Sequence, residues 1–495
     1  TRRSSDLLPS DQTATDLVGD TSYTTYLATK KSGMNSNFLV NANDGFMHVI
    51  NPDDGTRRYA YMPSTVLPLL STVASTTYGA GMHKFTVDGQ ISVFDTQLIK
   101  GGTWQTVALG GVGAGGKAYY ALQLFEGGGS NTISALWEVK APDTNTPANL
   151  YNDLGYAYSK PAVARLADGT GVMIIGNGYG SFTGKAALYV LDIKTGAVLR
   201  EIPITPATGE TDNGLSSVKL RVNAQNIVQA AYAGDLKGHM WKFDLSDASP
   251  ANWALAFAGK PLFTTPRGAL QPITVQPLLL DHPISGKIVY FGTGKFSETA
   301  DKQTTDLQDF YAVWDADGGT GGYVEANLQP QSISASITSN GSQYFTTTEN
   351  DVDWTTKKGW YLPLSVSGQY LGERIIYPAQ TSRGRIIFTT AAVNSTDPCE
   401  STGTGRLFEL DAIKGGMLSY AVLDTSGDGV VDATDTRVSG LAFGSGLPNL
   451  ASIVSGSSGT PDNKYIPDSS GNIIKLIEKG GDASVYQRIM WRQIQ

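Results

Sequence analysis

The sequence predicts an all-β chain folded as a β-propeller of seven irregular blades with long loop insertions, and three observations carry that prediction. Glycine supplies 57 of the 495 residues and tyrosine 23, a composition suited to short strands joined by tight turns. Apolar and polar residues alternate along short runs bounded by Asp-Gly and Asn-Gly turns, the pattern of β-hairpins. A strand, a Gly/Asn/Asp turn, a second alternating strand and a closing Asp recur along the chain, and such units must stack to bury their faces. Radial stacking of four-stranded units protects the edges of each one.

The first copy spans residues 37–50 and ends in the turn Asn51-Pro52-Asp53-Asp54-Gly55. Residues 64–70 come next as a helical candidate. The later copies are 171–178 with 187–196, and then 231–244, where both strands are compressed into one hairpin. Residues 288–294 pair with 310–315, and 405–411 closes the series. Segments 141–152, 201–214 and 315–360 are predicted insertions, where specificity and one or two short helices are expected. The length accommodates six to eight blades, seven being the expected count, within a single propeller domain over 1–495.

Composition narrows the function classes. The net charge of −8 and the absence of a Lys/Arg cluster beyond pairs such as Arg57-Arg58 argue against nucleic acid, which needs a basic stripe. No run of about 18 apolar residues is present, so no transmembrane helix is expected. Four His and one Cys provide no zinc site of the usual spacing. Cys399 sits in a loop-like stretch with no nearby His to activate it, so catalysis by this thiol is not expected. The polar start Thr1-Arg2-Arg3-Ser4-Ser5 is not a signal peptide, and a chain without an initial Met reads as part of a longer protein.

The strongest chemical motif lies at 424–435. Asp424, Ser426, Asp428, Asp432 and Asp435 occupy positions 1, 3, 5, 9 and 12, with Gly429 at position 6 and the Val430 carbonyl at position 7. This is the spacing of an EF-hand-like calcium loop, in which alternate side chains and one carbonyl surround a hard cation. Asp and Gly also favour ordinary turns, but a turn does not require five spaced oxygen donors. Ser426 replaces a carboxylate, so weak affinity of the extracellular type, above about 10⁻⁵ M in Kd, is expected. Asp435 is shorter than the usual Glu at position 12, and Asp432 is the alternative closing ligand.

The segment Tyr232-Ala233-Gly234-Asp235-Leu236-Lys237-Gly238-His239-Met240-Trp241-Lys242-Phe243-Asp244 resembles the signature of the PilC/PilY family of type IV pilus tip-associated proteins. Asn43-Asp44-Gly45-Phe46-Met47-His48, Tyr59-Ala60-Tyr61-Met62-Pro63-Ser64, the glycine-rich 110–122, Pro398-Cys399, Gly405-Arg406-Leu407-Phe408-Glu409-Leu410-Asp411 and Trp491-Arg492-Gln493-Ile494 stand in the family order. The resemblance implies a non-enzymatic propeller forming the C-terminal half of a larger protein, at the cell surface, outer membrane or pilus tip. It also implies roles in pilus assembly, twitching motility and attachment, with minor pilins and host-cell or abiotic surfaces as partners and Ca²⁺ as cofactor. The family's usual calcium loop precedes the Tyr232 segment. Here Arg221 and the amides Asn223, Gln225 and Gln229 stand where carboxylates are needed, so 424–435 is the surviving candidate.

Two further signals read as structural. Gly111-Val112-Gly113-Ala114-Gly115-Gly116-Lys117-Ala118 nearly spells a P-loop, but residues 117–124 alternate like a strand, whereas a phosphate loop needs a helix after it. Leu191-Asp192-Ile193-Lys194-Thr195-Gly196 resembles quinoprotein (PQQ) dehydrogenase propellers and outer-membrane assembly scaffolds, the alternative reading. One Cys excludes the vicinal disulfide found beside the quinone, and Trp241, Trp314 and Trp360 are expected in blade cores. His48, His83, His239 and His282 are scattered and read as structural, and no Ser-His-Asp hydrolase signature is present.

Overall fold

The structure is a computed structural model that describes residues 14–79, 82–205, 210–370, 372–393, 403–456 and 460–480. Cys399 and the closing Trp491-Arg492-Gln493-Ile494 lie outside the described residues. The described residues form two compact units, one made of 14–236 with 241–260, the other of 237–240 with 261–480.

The first unit opens with an α-helix, Thr21–Gly33, that the hairpin pattern did not predict. Asp20 caps it by accepting N–H bonds from Ser22 and Tyr23 at 2.8 and 3.3 Å, and Lys30 and Lys31 complement its C-terminal dipole. Only Tyr26 of this helix is buried, so tertiary contacts rather than amphipathicity hold it. Tyr23 and Tyr26 pack with Trp104 and Phe125. The Lys30 amine and the Tyr23 hydroxyl both reach the buried Asp95 carboxylate, at 2.7 and 2.9 Å.

Antiparallel sheets come next in chain order. Phe38–Asn41, Met47–Ile50 and Arg57–Tyr61 form a three-stranded sheet. Ile91–Gln97, Trp104–Gly111, Ala118–Glu126 and Ser134–Lys140 form a four-stranded meander, as do Ala162–Arg165, Gly171–Gly176, Ala187–Asp192 and Val198–Pro203. Lys219–Val222, Val228–Gly234, His239–Asp244 and Ala254–Leu255 continue the series. Every residue of Gly171–Gly176 is buried, because successive side chains enter different cores. Val172, Ile174, Leu188 and Val190 pack with Leu220, Ala231, Ala233, Trp241 and Phe243. Met173, Ile175, Tyr189 and Leu191 pack with Phe94, Val107, Leu109 and Tyr119 on the opposite face. This two-sided burial is the stacking that the repeats predict. The candidate helix at 64–70 is present as a 3₁₀ helix, Ser64–Leu69, running into a short α-turn, Leu70–Val73.

In the second unit, Leu278–Asp281, Lys287–Gly292, Asp309–Asp315 and Gly359–Pro363 are antiparallel neighbours, with Gln329–Pro330 parallel to the last of them. The next sheet has seven strands, including Ile333–Ser339, Ser342–Thr347, Gly440–Phe443, Gly403–Asp411 and Arg385–Thr389. A meander of Ser452–Val454, Asp462–Pro467 and Ile473–Glu478 ends the described chain.

Among the described residues the propeller has six blades rather than the expected seven. Residues 315–360, read from sequence as an insertion, contain a long hairpin, Ile333–Ser339 with Ser342–Thr347, whose second strand pairs with Gly440–Phe443. That hairpin extends an existing sheet and makes no blade of its own. The closing meander shares one hydrophobic cluster with the seven-stranded sheet, Ile466 packing with Leu407, Leu441 and Phe443, and is counted with it. Trp241, Trp314 and Trp360 are all buried, as expected, and Phe310, Phe388 and Phe408 stack at centroid spacings of 4.0 and 4.6 Å.

Candidate functional site

The calcium-loop candidate connects the buried pair Val422-Leu423 to the strand Gly440–Phe443, and the structure shows what its carboxylates do within the chain. Asp424 accepts N–H bonds from Gly427 at 2.6 Å on one oxygen and from Gly429 at 2.9 Å on the other. Asp428 accepts from the Val430 N–H at 3.0 Å, and Asp432 from the Thr434 N–H at 2.7 Å. Both are short-range turns of the kind Asp favours. Gly427 and Gly429 have φ of +80° and +92°, the region open to glycine at little cost. A Cβ on Gly427 would meet the Asn340 amide nitrogen at 2.0 Å.

Asp435 differs from the other four donors. It is 8% exposed and binds across the loop, accepting from the Thr425 and Ser426 N–H groups at 2.7 and 3.0 Å and from the Asp432 N–H at 2.9 Å. Burial acts to raise its pKa, yet the N–H groups of Asp432, Ser426 and Thr425 together hold it below the usual carboxylate range. Asp435 therefore closes the loop as a fixed anion. Ser426, Asp428, Val430 and Asp432 stand exposed or nearly so along the same turn.

The donor chemistry fits a hard cation, since carboxylates, a hydroxyl and a carbonyl are all oxygen ligands. Among the described residues, however, no three or more His, Cys, Asp or Glu side chains are gathered closely enough to hold a metal. Binding would require Asp428 and Asp432 to turn out of their single N–H bonds and converge with Asp424.

The stretch where the family resemblance places a calcium loop is a hairpin turn between Lys219–Val222 and Val228–Gly234. The Asn223 side chain accepts from the Gln225 and Ile227 N–H groups at 2.9 and 3.0 Å, and Asn226 takes φ +65°. One neutral amide organises this turn. The Tyr232 segment beyond it is built around buried Asp235, which accepts from the Trp241 indole at 2.8 Å and the Asn213 amide at 3.1 Å.

The remaining sequence signals resolve as structure. The glycine-rich stretch joins two strands, Trp104–Gly111 and Ala118–Glu126, so a strand stands where a phosphate loop would need a helix. A Cβ on Gly115 would lie 1.7 Å from the Thr86 carbonyl oxygen, so the glycine is there for close backbone approach. His48 pairs with Asp44 at 2.9 Å, His83 meets the Tyr78 hydroxyl at 3.2 Å, and His282 stacks on Trp314. Sequence reasoning missed a buried charge quartet. Arg385 reaches Glu409 and Glu478 at 3.2 and 3.3 Å, and Lys464 contacts both glutamates. All four side chains are at most 1% exposed. Charged residues inside alternating strands were the available signal.

Sheets stacked through two-sided cores and a carboxylate-rich turn before a late strand describe a β-propeller domain with a candidate cation loop. The chain matches the model of the PilY1 β-propeller domain over residues 9–344, and it belongs to that family. It is 31% identical to the crystal structure of the Pseudomonas aeruginosa PilY1 C-terminal domain, with a TM-score of 0.73, covering 93% of this chain and 96% of that one. It is also 35% identical over 467 residues to the type IV pilus biogenesis factor PilY1 of P. aeruginosa strain PAO1, covering 84% of this chain and 39% of the relative. A PilY1 homolog of Xylella fastidiosa is 33% identical over 413 residues, covering 80% of this chain and 27% of the relative. The chain thus spans well under half the length of these curated relatives.

Proposed function

We propose that this chain is the propeller part of a type IV pilus biogenesis factor, acting by binding rather than by catalysis. The observation that carries this reading is the match to the PilY1 C-terminal domain, which extends over 93% of the chain. In this reading the protein works at the cell surface or pilus tip, contacts minor pilins, and supports pilus extension, twitching and attachment to host-cell or abiotic surfaces. Among the described residues no helix is long and apolar enough to cross a membrane. The test is to delete the gene in its own bacterium and complement it with the intact gene. Loss of surface pili and of twitching, both restored by complementation, is expected; normal piliation in the deletion strain overturns the proposal.

Within that role the loop takes one Ca²⁺, through Asp424, Ser426, Asp428, the Val430 carbonyl and Asp432, with Asp435 closing the loop from behind. The oxygen-only donor set supports this assignment, and the carboxylates' existing N–H bonds argue for weak affinity, since each must be surrendered on binding. Titration calorimetry with Ca²⁺ should give saturable heat that Asp428→Ala abolishes. Identical heats for the two proteins would remove calcium from this loop without affecting the pilus reading.

A further inference from the structure

A concavity of about 440 Å³ lies in the first unit, lined by Arg200, Ile202, Pro203, Trp253, Leu255 and Ala258 among others. It is shallow and open to solvent, and its lining is mostly apolar with a cationic group in the wall. Ile202 and Trp253 are 4% and 2% exposed and form a firm apolar floor. The Arg200 guanidinium in the wall donates one Nη2–H to the Trp253 carbonyl at 3.3 Å. Its Nε–H is buried and has no acceptor among the described residues, and no ion pair of Arg200 is present among them. An unmet cationic donor in an apolar setting is costly unless something supplies an acceptor.

The other wall is held in an uncommon backbone state. Phe257, Ala258 and Gly259 have φ of +54°, +54° and +83° in succession, and two of the three are not glycine. Non-glycine residues held in this region cluster at ligand clamps. The Lys242 amine lies over the Phe257 ring, 5.1 Å from its centroid. Glu201, the next residue on the strand, does not neutralise Arg200. Burial and the Asp153 carboxyl push its pKa up to about 8, so at neutral pH it is mostly uncharged.

We infer that this concavity binds an apolar carboxylate, its hydrocarbon part resting on Ile202, Trp253 and Leu255 and its carboxylate accepting from the Arg200 guanidinium. A carboxylate meets a guanidinium through charge-assisted bonds, which are stronger than neutral ones. Two sources present that chemistry, the C-terminal residue of a peptide and a free aliphatic acid.

The test is calorimetric titration of the purified chain with three probes: acetyl-Ala-Ala-Leu with a free C-terminus, the same peptide amidated, and 4-methylpentanoate. Saturable binding of a free acid, weakened on the order of 10-fold or more by amidation and by Arg200→Ala, is the expected result. Arg200→Lys should fall between, because it keeps charge and loses the fork. If only the free-acid peptide binds, the source is a peptide terminus; if 4-methylpentanoate binds as well, it is a small acid. Leu255→Trp fills the cavity while leaving Arg200 in place, so it should also abolish binding, and it serves if Arg200→Ala fails to fold. Absence of binding by both acids, equal binding of the amide, or indifference to both Arg200→Ala and Leu255→Trp would overturn the inference.

Discussion

The two acidic centres of the second unit use the same side-chain chemistry for different purposes. Asp435 is buried with its charge satisfied by backbone N–H groups, whereas Glu409 and Glu478 are buried against Arg385 and Lys464. In the quartet two cations balance two anions, and removing one member strands a charge in a medium that cannot solvate it. Lys464→Ala should therefore cost about 3–5 kcal/mol in urea unfolding, while replacing an exposed lysine such as Lys414, paired with Asp351 at the surface, should leave stability nearly unchanged. Equal effects of the two substitutions would mean that the quartet is solvated. Asp435→Asn tests the loop closure. A carboxylate whose pKa is lowered on folding stabilises above its unfolded pKa and loses that contribution as pH falls through the folded value. The variant should be less stable than the parent at pH 7, and the difference should narrow as pH falls below the usual carboxylate range, measured by thermal melting; a constant difference down to acid pH would show that the charge of Asp435 is not what closes the loop.

At the scale of elements, what the sequence revealed depended on how local the physics was. The tight turn at 424–435 was legible because its Asp side-chain contacts and glycine φ are set within a dozen residues. The glycine-rich turn was legible as a strand connection for the same reason. Helix Thr21–Gly33 was not, since one buried residue gives it no amphipathic stripe and its anchors Asp95 and Trp104 lie far along the chain. The quartet was equally opaque, its four partners being spread over strands 14 to 93 residues apart. Blade counting failed because it rested on chain length, which accommodates six to eight blades, and residues 315–360 were read as an insertion although they hold a hairpin that joins an existing sheet. The glycine turn also yields a sharp prediction. A Cβ at Gly115 would lie within 1.7 Å of the Thr86 carbonyl oxygen, so the two backbone segments must separate. Gly115→Ala should destabilise by about 1–3 kcal/mol or more, read from the denaturation midpoint. Gly128, where a Cβ meets nothing within 4 Å, is the control, and equal tolerance at both positions would refute the close approach.

For the whole molecule, buried and half-buried acids set the dependence of stability on pH. Burial raises Asp16 to about 6 and, with Asp153, Glu201 to about 8; it also raises Glu325, Glu373 and Glu478. A group whose folded pKa lies above its unfolded one gives stability that is complete below the unfolded value and is lost as pH climbs through the folded value. For Asp16 and Glu201 that interval runs from about 4 to about 8, so stability should fall from pH 5 to pH 8. Asp435 is the buried carboxylate whose pKa is lowered; the others, Asp54, Asp168, Asp353, Asp432 and Asp468, are exposed or partly so. They oppose the trend weakly, because solvent screens them. The net charge of −8 acts in the same direction as the buried acids, since self-repulsion grows as the last carboxyl protons leave. Salt separates the two contributions. Surface repulsion is screened over about 10 Å at 0.1 M salt, while buried groups are screened much less. Melting temperatures measured from pH 5 to 8.5 should decline, with a decline that persists at 0.5 M NaCl. Glu201→Gln, which cannot ionise, should flatten the curve and raise the melting temperature most at the alkaline end. A melting temperature that climbs toward pH 8.5, or a Glu201→Gln curve parallel to the parent's, would show that these carboxyls are solvated and that the acid-stable character assigned to the propeller is wrong.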